Sequence, residues 1–132
     1  MAALSGAKTI SPAFSNIRDM VRVTYDFSLD GGAAGDYDVL TADGACLVRC
    51  IGANVKTAVT SGGSLDLDLG KGAGGVEFLS SVAVASLTLN SFQPSASQAF
   101  VKLADGEKIV MGIDTAAATA GKIEFIFEVV KF

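Results

Sequence analysis

Residues 21–29 read VRVTYDFSL, and the period of this stretch decides the fold. Val21, Val23, Tyr25, Phe27 and Leu29 alternate with Arg22, Thr24, Asp26 and Ser28. Successive side chains of a strand point to opposite faces, so a period of two predicts a half-buried β-strand. Asp30-Gly-Gly-Ala-Ala-Gly35 follows, and consecutive glycines, which permit positive φ, predict a loop.

Working outward, residues 36–41 (DYDVLT) and 45–55 read as strands joined by Ala42-Asp43-Gly44, a turn signal that predicts a hairpin. Residues 56–60 add a short strand before Ser61-Gly-Gly-Ser64, and in 65–69 (LDLDL) the leucines face inward and Asp66 and Asp68 face water. The segment VEFLSSVAVASL, 76–87, mixes helical spacing with β-branched residues and predicts one short helical turn. Residues 90–97 read as loop, and 99–103 and 108–114 as strands around the turn Ala104-Asp-Gly-Glu107. In the closing KIEFIFEVVKF, Ile123, Phe125, Phe127 and Val129 define one face, while Glu124, Glu128, Ile126 and Val130 define a partly covered one. About eight short strands with glycine turns and no long helix predict an all-β protein: a β-sandwich, jelly-roll-like, in one domain over residues 20–132. Ala-Asp-Gly recurs at 42–44 and 104–106, but nothing else repeats in register, so no duplication is read.

Residues 1–19 are weakly patterned and interrupted by Pro12, which predicts an extended N-terminal arm. Its spaced Ile10, Pro12, Phe14 and Ile17, with Phe132 at the other terminus, are the expected partner-interface residues.

Composition excludes more than it assigns. Half of the 132 residues are apolar, 18% are charged, histidine and tryptophan are absent, and net charge is −4. An acidic balance opposes binding along phosphates, so no nucleic-acid partner is expected. No apolar run reaches the ~18 residues of a membrane span, and MAALSGAKTISPAF lacks the apolar core of a leader, so a soluble, unexported chain is expected. Cys46 and Cys50 lie four apart in a predicted strand, which separates their Cα atoms by ~13 Å against a disulfide limit of ~7 Å. They read as two small buried groups on one face.

GKGAGG at 70–75 has the spacing of a dinucleotide-binding loop, but that motif needs a helix after it and an acidic residue ~20 positions on. No acidic residue lies between Glu77 and Asp105, so the glycines read as a flexible inter-strand loop. Without histidine, Ser-His-Asp and Cys-His catalysis are excluded. Asp66 and Asp68 read as a solubilising stripe rather than a glycosidase pair, and the D-x-D-x-G they begin lacks the later ligands of a calcium loop. No catalytic residue, metal or cofactor is expected. What remains is an interaction protein that buries surface against copies of itself and a partner.

LVRCIGANVKTAVTSGGSLDLDLG (47–70), FLSSVAVASL (78–87) and GIDTAAATAGKIEFIFEVVKF (112–132) together resemble small virion structural proteins of tailed bacteriophages. Similar proteins show an R-x-I-G-like strand, a T-A-V-x-S-G-G-S turn, a strand ending in L-G and a closing T-A-G-K-I strand. The resemblance spans residues 45–132, and within that lineage a short acidic chain is most similar to a capsid decoration (cement) protein. It implies a non-enzymatic β-sandwich knob on the capsid exterior, assembled in the host cytoplasm, that forms a homotrimer and clamps the major capsid protein. A tail or head-fibre component is the alternative within the lineage. A carbohydrate-binding module is the alternative outside it, opposed by two tyrosines and no tryptophan.

Overall fold

Side-chain alternation divides the strands of this chain between two facing sheets, described for residues 2–10 and 18–131 of a computed structural model. In chain order the strands are β1 (Ala2–Ile10), β2 (Arg18–Asp26), β3 (Gly35–Ala42), β4 (Cys46–Ser61), β5 (Asp66–Lys71), β6 (Leu79–Ala83), β7 (Phe92–Pro94), β8 (Val101–Leu103), β9 (Lys108–Asp114) and β10 (Ala118–Lys131). The first sheet has the order β1-β3-β9-β5-β6; the second has β2-β10-β4-β7, with β8 also pairing β4. Among the described residues all pairings are antiparallel except β1 with β3. The chain is therefore the all-β sandwich that its alternation predicts.

The inward faces fill the space between the sheets. Ile123, Phe125, Phe127 and Val129 of β10 are all buried, with Val23 and Tyr25 of β2 beside them, and Ile109, Met111, Ile113, Leu67 and Leu69 come from the first sheet. Burying one such side chain stabilises by about 1.5–3 kcal/mol relative to leaving it in water. The Tyr25 and Tyr37 rings meet with centroids 6.5 Å apart. Phe78 meets Phe127 edge-on at 6.2 Å. Cys46 and Cys50 are buried free thiols, as their spacing predicts, and burial pushes the Cys50 thiol up to about 12.

Several local readings change. The strand over 21–29 stops at Asp26, and Phe27–Asp30 forms a single helical turn. The Asp26 carboxylate accepts the Ser28 N–H at 3.0 Å and the Ser28 hydroxyl at 2.7 Å, and this capping overrides the alternation. Leu29 is left 70% exposed.

The expected hairpin of β3 and β4 does not form, because β3 pairs with β9 and β1 while β4 pairs with β10. The turn at 43–45 carries the chain from one sheet to the other instead. It packs on the second Ala-Asp-Gly turn: the Gly44 N–H donates to Asp105 Oδ1 at 2.9 Å, and the Gly106 N–H to the Ala42 carbonyl at 2.8 Å.

The arm expected over 1–19 contains the strand β1, and Leu4 and Ile10 belong to the core. Its weak pattern has a physical cause, a bulge in which residues 4–7 stand opposite Val39 alone, between the Ala3–Asp38 and Lys8–Leu40 pairs. The stretch read as loop over 90–97 contains the short strand β7, and residues 46–61 form one long strand.

Candidate functional site

Of the residues expected at a partner interface, Ile10 alone is among the described residues. Ile10 is 4% exposed and packed in the chain's own core. Pro12, Phe14, Ile17 and Phe132 lie outside the described residues.

The outward face of the second sheet collects a different set. Along β10 the outward positions are Lys122, Glu124, Ile126, Glu128 and Val130, because the residues between them enter the core. Register places Glu128 between Met20 and Arg49, Ile126 between Arg22 and Gly52, and Glu124 between Thr24 and Asn54. Arg49 donates through Nε and Nη2 to Glu128 Oε1 at 3.0 and 2.7 Å, and through Nη1 to Gln98 Oε1 at 3.3 Å. Its guanidinium also sits 5.6 Å from the Phe100 ring centroid. Glu124 lies between Arg22 at 4.0 Å and Lys56 at 3.9 Å, and Lys122 lies 3.9 Å from Asp26.

Large apolar side chains stand among these charges. Met20 is 53% exposed, Phe92 47% and Phe100 37%. Phe92 lies over Gly52, where an added Cβ would come within 2.4 Å of its Cζ and 2.6 Å of the Gln93 carbonyl oxygen. Gly52 thus makes room for an aromatic ring laid across β4.

The strands of this sheet hold seven of the ten basic residues, namely Arg18, Arg22, Arg49, Lys56, Lys102, Lys122 and Lys131, against the four acids Asp19, Asp26, Glu124 and Glu128. They carry a net +3 in a chain of net −4, which leaves −7 for everything else. The molecule is electrically lopsided.

The outward face of the first sheet shows the opposite character. Asp36 and Asp68 flank Gly112 across strands, and Asp66 stands opposite Asp114. A Cβ on Gly112 would lie 3.4 Å from Asp36 Oδ1 and 3.5 Å from Asp114 Oδ2, so these carboxyls crowd over the bare glycine. A hydrogen bond to Asp68, then burial and the charges of Asp68, Asp36 and Asp66, push Asp114 up to about 6. Asp68 does not face open water as its alternation predicts: it is buried and accepts the Ser81 N–H at 2.6 Å. One strand pair along, Lys108 holds Asp38 at 2.8 Å. Among the described residues no group of three or more His, Cys, Asp or Glu is arranged to hold a metal ion, and no helix is long and apolar enough to cross a membrane.

Gly70 and Lys71 end β5, and the turn that follows at Gly72–Gly75 leads to the strand β6 and a 3-10 turn, Val84–Ser86. Its backbone folds back on itself, with Glu77 Oε1 accepting the Lys71 N–H at 3.0 Å.

No protein-family model and no curated protein matches the chain. Two solved structures share its fold. A chain of the cyanophage Pam1 capsid asymmetric unit is similar at a TM-score of 0.65 and 14% identity, over 93% of this chain and 91% of that one. A chain of the acidic stable capsid structure of Helicobacter pylori bacteriophage KHP30 is similar at a TM-score of 0.56 and 14% identity, over 89% and 96%.

Proposed function

We propose that this chain is a virion structural protein of a tailed bacteriophage, without catalytic activity, that binds the outer surface of the capsid and stabilises the shell. The observation that carries the reading is the end-to-end likeness of the fold to chains of two phage capsid structures. The sequence resemblance over 45–132 supports it independently. The strand pairs β2/β10, β3/β9, β4/β7 and β8, and β5/β6 nest one inside the next and alternate between the sheets, which supports reading the sandwich as jelly-roll-like. A closed sandwich of this kind offers broad pleated faces for neighbours to press against.

In this reading the partners are the major capsid protein and two further copies of the chain, as a homotrimer. Linking three modest contacts in one particle raises the effective affinity well beyond that of one. The test uses capsids of the encoding phage prepared without the protein. Purified chain is expected to co-sediment with them and raise their disruption temperature, and mass measurement in solution is expected to give a trimer. Capsids that neither bind the chain nor gain stability would overturn the role, and a monomer at micromolar concentration would overturn the trimer.

A further inference from the structure

We infer that the outward face of the β2-β10-β4 sheet is the docking surface of this protein, and that its occupant is an acidic protein surface. The inference deepens the capsid reading and rests on it for the identity of the shell, but the chemistry of the face is argued from this chain alone.

The sign comes from the charge distribution. The strands of this sheet carry +3 and the remainder of the chain −7. An acidic surface is therefore met most favourably by the orientation that turns this sheet toward it, and complementary potentials of this kind set both orientation and association rate. The carboxyls of Asp36, Asp66, Asp68 and Asp114 then point away from the partner.

The class of partner comes from the pattern within the face. Binding along a nucleic-acid backbone uses cations that neutralise phosphates one after another. Here the cations are interleaved with acids: Glu124 stands between Arg22 and Lys56, Glu128 under Arg49, and Asp26 beside Lys122. Between them lie Met20, Phe92 and the Arg49–Phe100 stack. Aromatic, Met and Arg side chains set among matched charges are the composition of a protein–protein contact. With Arg22 and Lys56 at 68% and 47% side-chain exposure, the attraction they add is salt-sensitive.

The test compares three variants with the wild-type chain, each checked for native circular dichroism. Arg22→Glu with Lys56→Glu is expected to weaken capsid binding at low salt by about tenfold or more, chiefly through association rate. Arg22→Gln with Lys56→Gln, which spares Glu124 an acidic cluster, is expected to give a smaller loss in the same direction. Asp66→Lys, on the opposite face, is expected to leave binding unchanged. A second readout needs no capsid: poly-glutamate is expected to bind wild-type chain and to lose it in the Glu variant. Wild-type failure on capsids alone sinks the capsid role and leaves the face to be judged by poly-glutamate. Equal binding by wild-type and both double variants would overturn the inference, as would loss confined to Asp66→Lys. So would duplex DNA or phosphatidylserine vesicles displacing poly-glutamate from the wild-type chain.

Discussion

Arg49 of β4 places Nε and Nη2 at 3.0 and 2.7 Å from one carboxylate oxygen of Glu128 on β10, and so roofs a carboxylate that an outward sheet position would otherwise leave in water. The side chain of Glu128 is only 9% exposed and that of Arg49 28%. Such a pair is costly to break singly, because the survivor keeps its desolvation and loses the charge-assisted hydrogen bonds of this contact. Arg49→Ala is expected to cost about 2 kcal/mol, measured by urea denaturation. The double change Arg49→Met with Glu128→Leu is expected to recover most of that loss, since apolar residues of like volume fill the same space. Equal destabilisation by the single and the double change would show that packing, not the charge pair, holds this spot.

The carboxyl of Asp114 gives the fold a stability that rises toward acid. A hydrogen bond to Asp68 raises it to about 6 in the folded chain, against ~3.9 when unfolded. The native state therefore holds its proton more tightly, so the contribution is present below the unfolded value and is lost as pH rises through about 6. Asp26 and Glu107 work the other way, held below the ordinary range by hydrogen bonds to Ser28 and to the Ala104 N–H respectively, and their contribution is lost only at lower pH. Thermal unfolding is expected to shift to higher temperature between pH 7.5 and pH 5. Asp114→Asn, which supplies a permanent donor to Asp68, is expected to flatten that slope and to stabilise the chain at pH 7.5.

Much of the fold is legible in the sequence wherever one face of a strand is wet and the other dry. Residues 122–127 show this, with Ile123, Phe125 and Phe127 buried and Lys122, Glu124 and Ile126 left at least partly open between them. Strand β1 is hidden because its bulge breaks the alternation, and the end of β2 is hidden because Asp26 and Asp30 are read as polar strand and loop positions rather than as caps. The crossovers at the two Ala-Asp-Gly turns are illegible for another reason. The same residues close a hairpin or carry a chain between sheets, and the choice depends on which distant strands pair. The docking face and the carboxyl cluster are products of that pairing: nothing in the sequence brings Asp36 to Asp68 across Gly112, or Arg49 to Glu128.

Two phenols pin the loop that follows the helical turn. Tyr25 donates to the Gly31 carbonyl at 2.8 Å and Tyr37 to the Ala33 carbonyl at 2.6 Å. Burial, reinforced by Tyr37 and nearby acids, pushes Tyr25 up to about 12, so its contribution holds below the ordinary value near 10 and is lost as pH climbs through about 12. Spectrophotometric titration is expected to show no normal phenol until the chain unfolds in alkali. Tyr25→Phe is expected to cost about 1 kcal/mol. A tyrosine titrating at its ordinary value in folded protein would contradict this packing.

The glycines at 70–75 serve backbone contact, and they are not equivalent. A Cβ on Gly70 would lie 2.2 Å from Glu77 Oε1 and 2.5 Å from the Gly75 carbonyl carbon, whereas one on Gly74 would meet nothing within 4 Å. Gly74 instead holds φ at +76°, where a side chain costs about 1 kcal/mol of local strain. Gly70→Ala must therefore push the returning backbone off β5, with the overpacking cost of about 1–3 kcal/mol. It is also expected to loosen the Phe78 N–H, which donates to the Leu69 carbonyl at 2.9 Å just beyond the loop. Amide exchange at Phe78 is the measurement: faster in Gly70→Ala, near wild-type in Gly74→Ala. If both variants exchange alike, the glycines answer to conformational freedom alone, and the close backbone approach at Gly70 is not what fixes this loop.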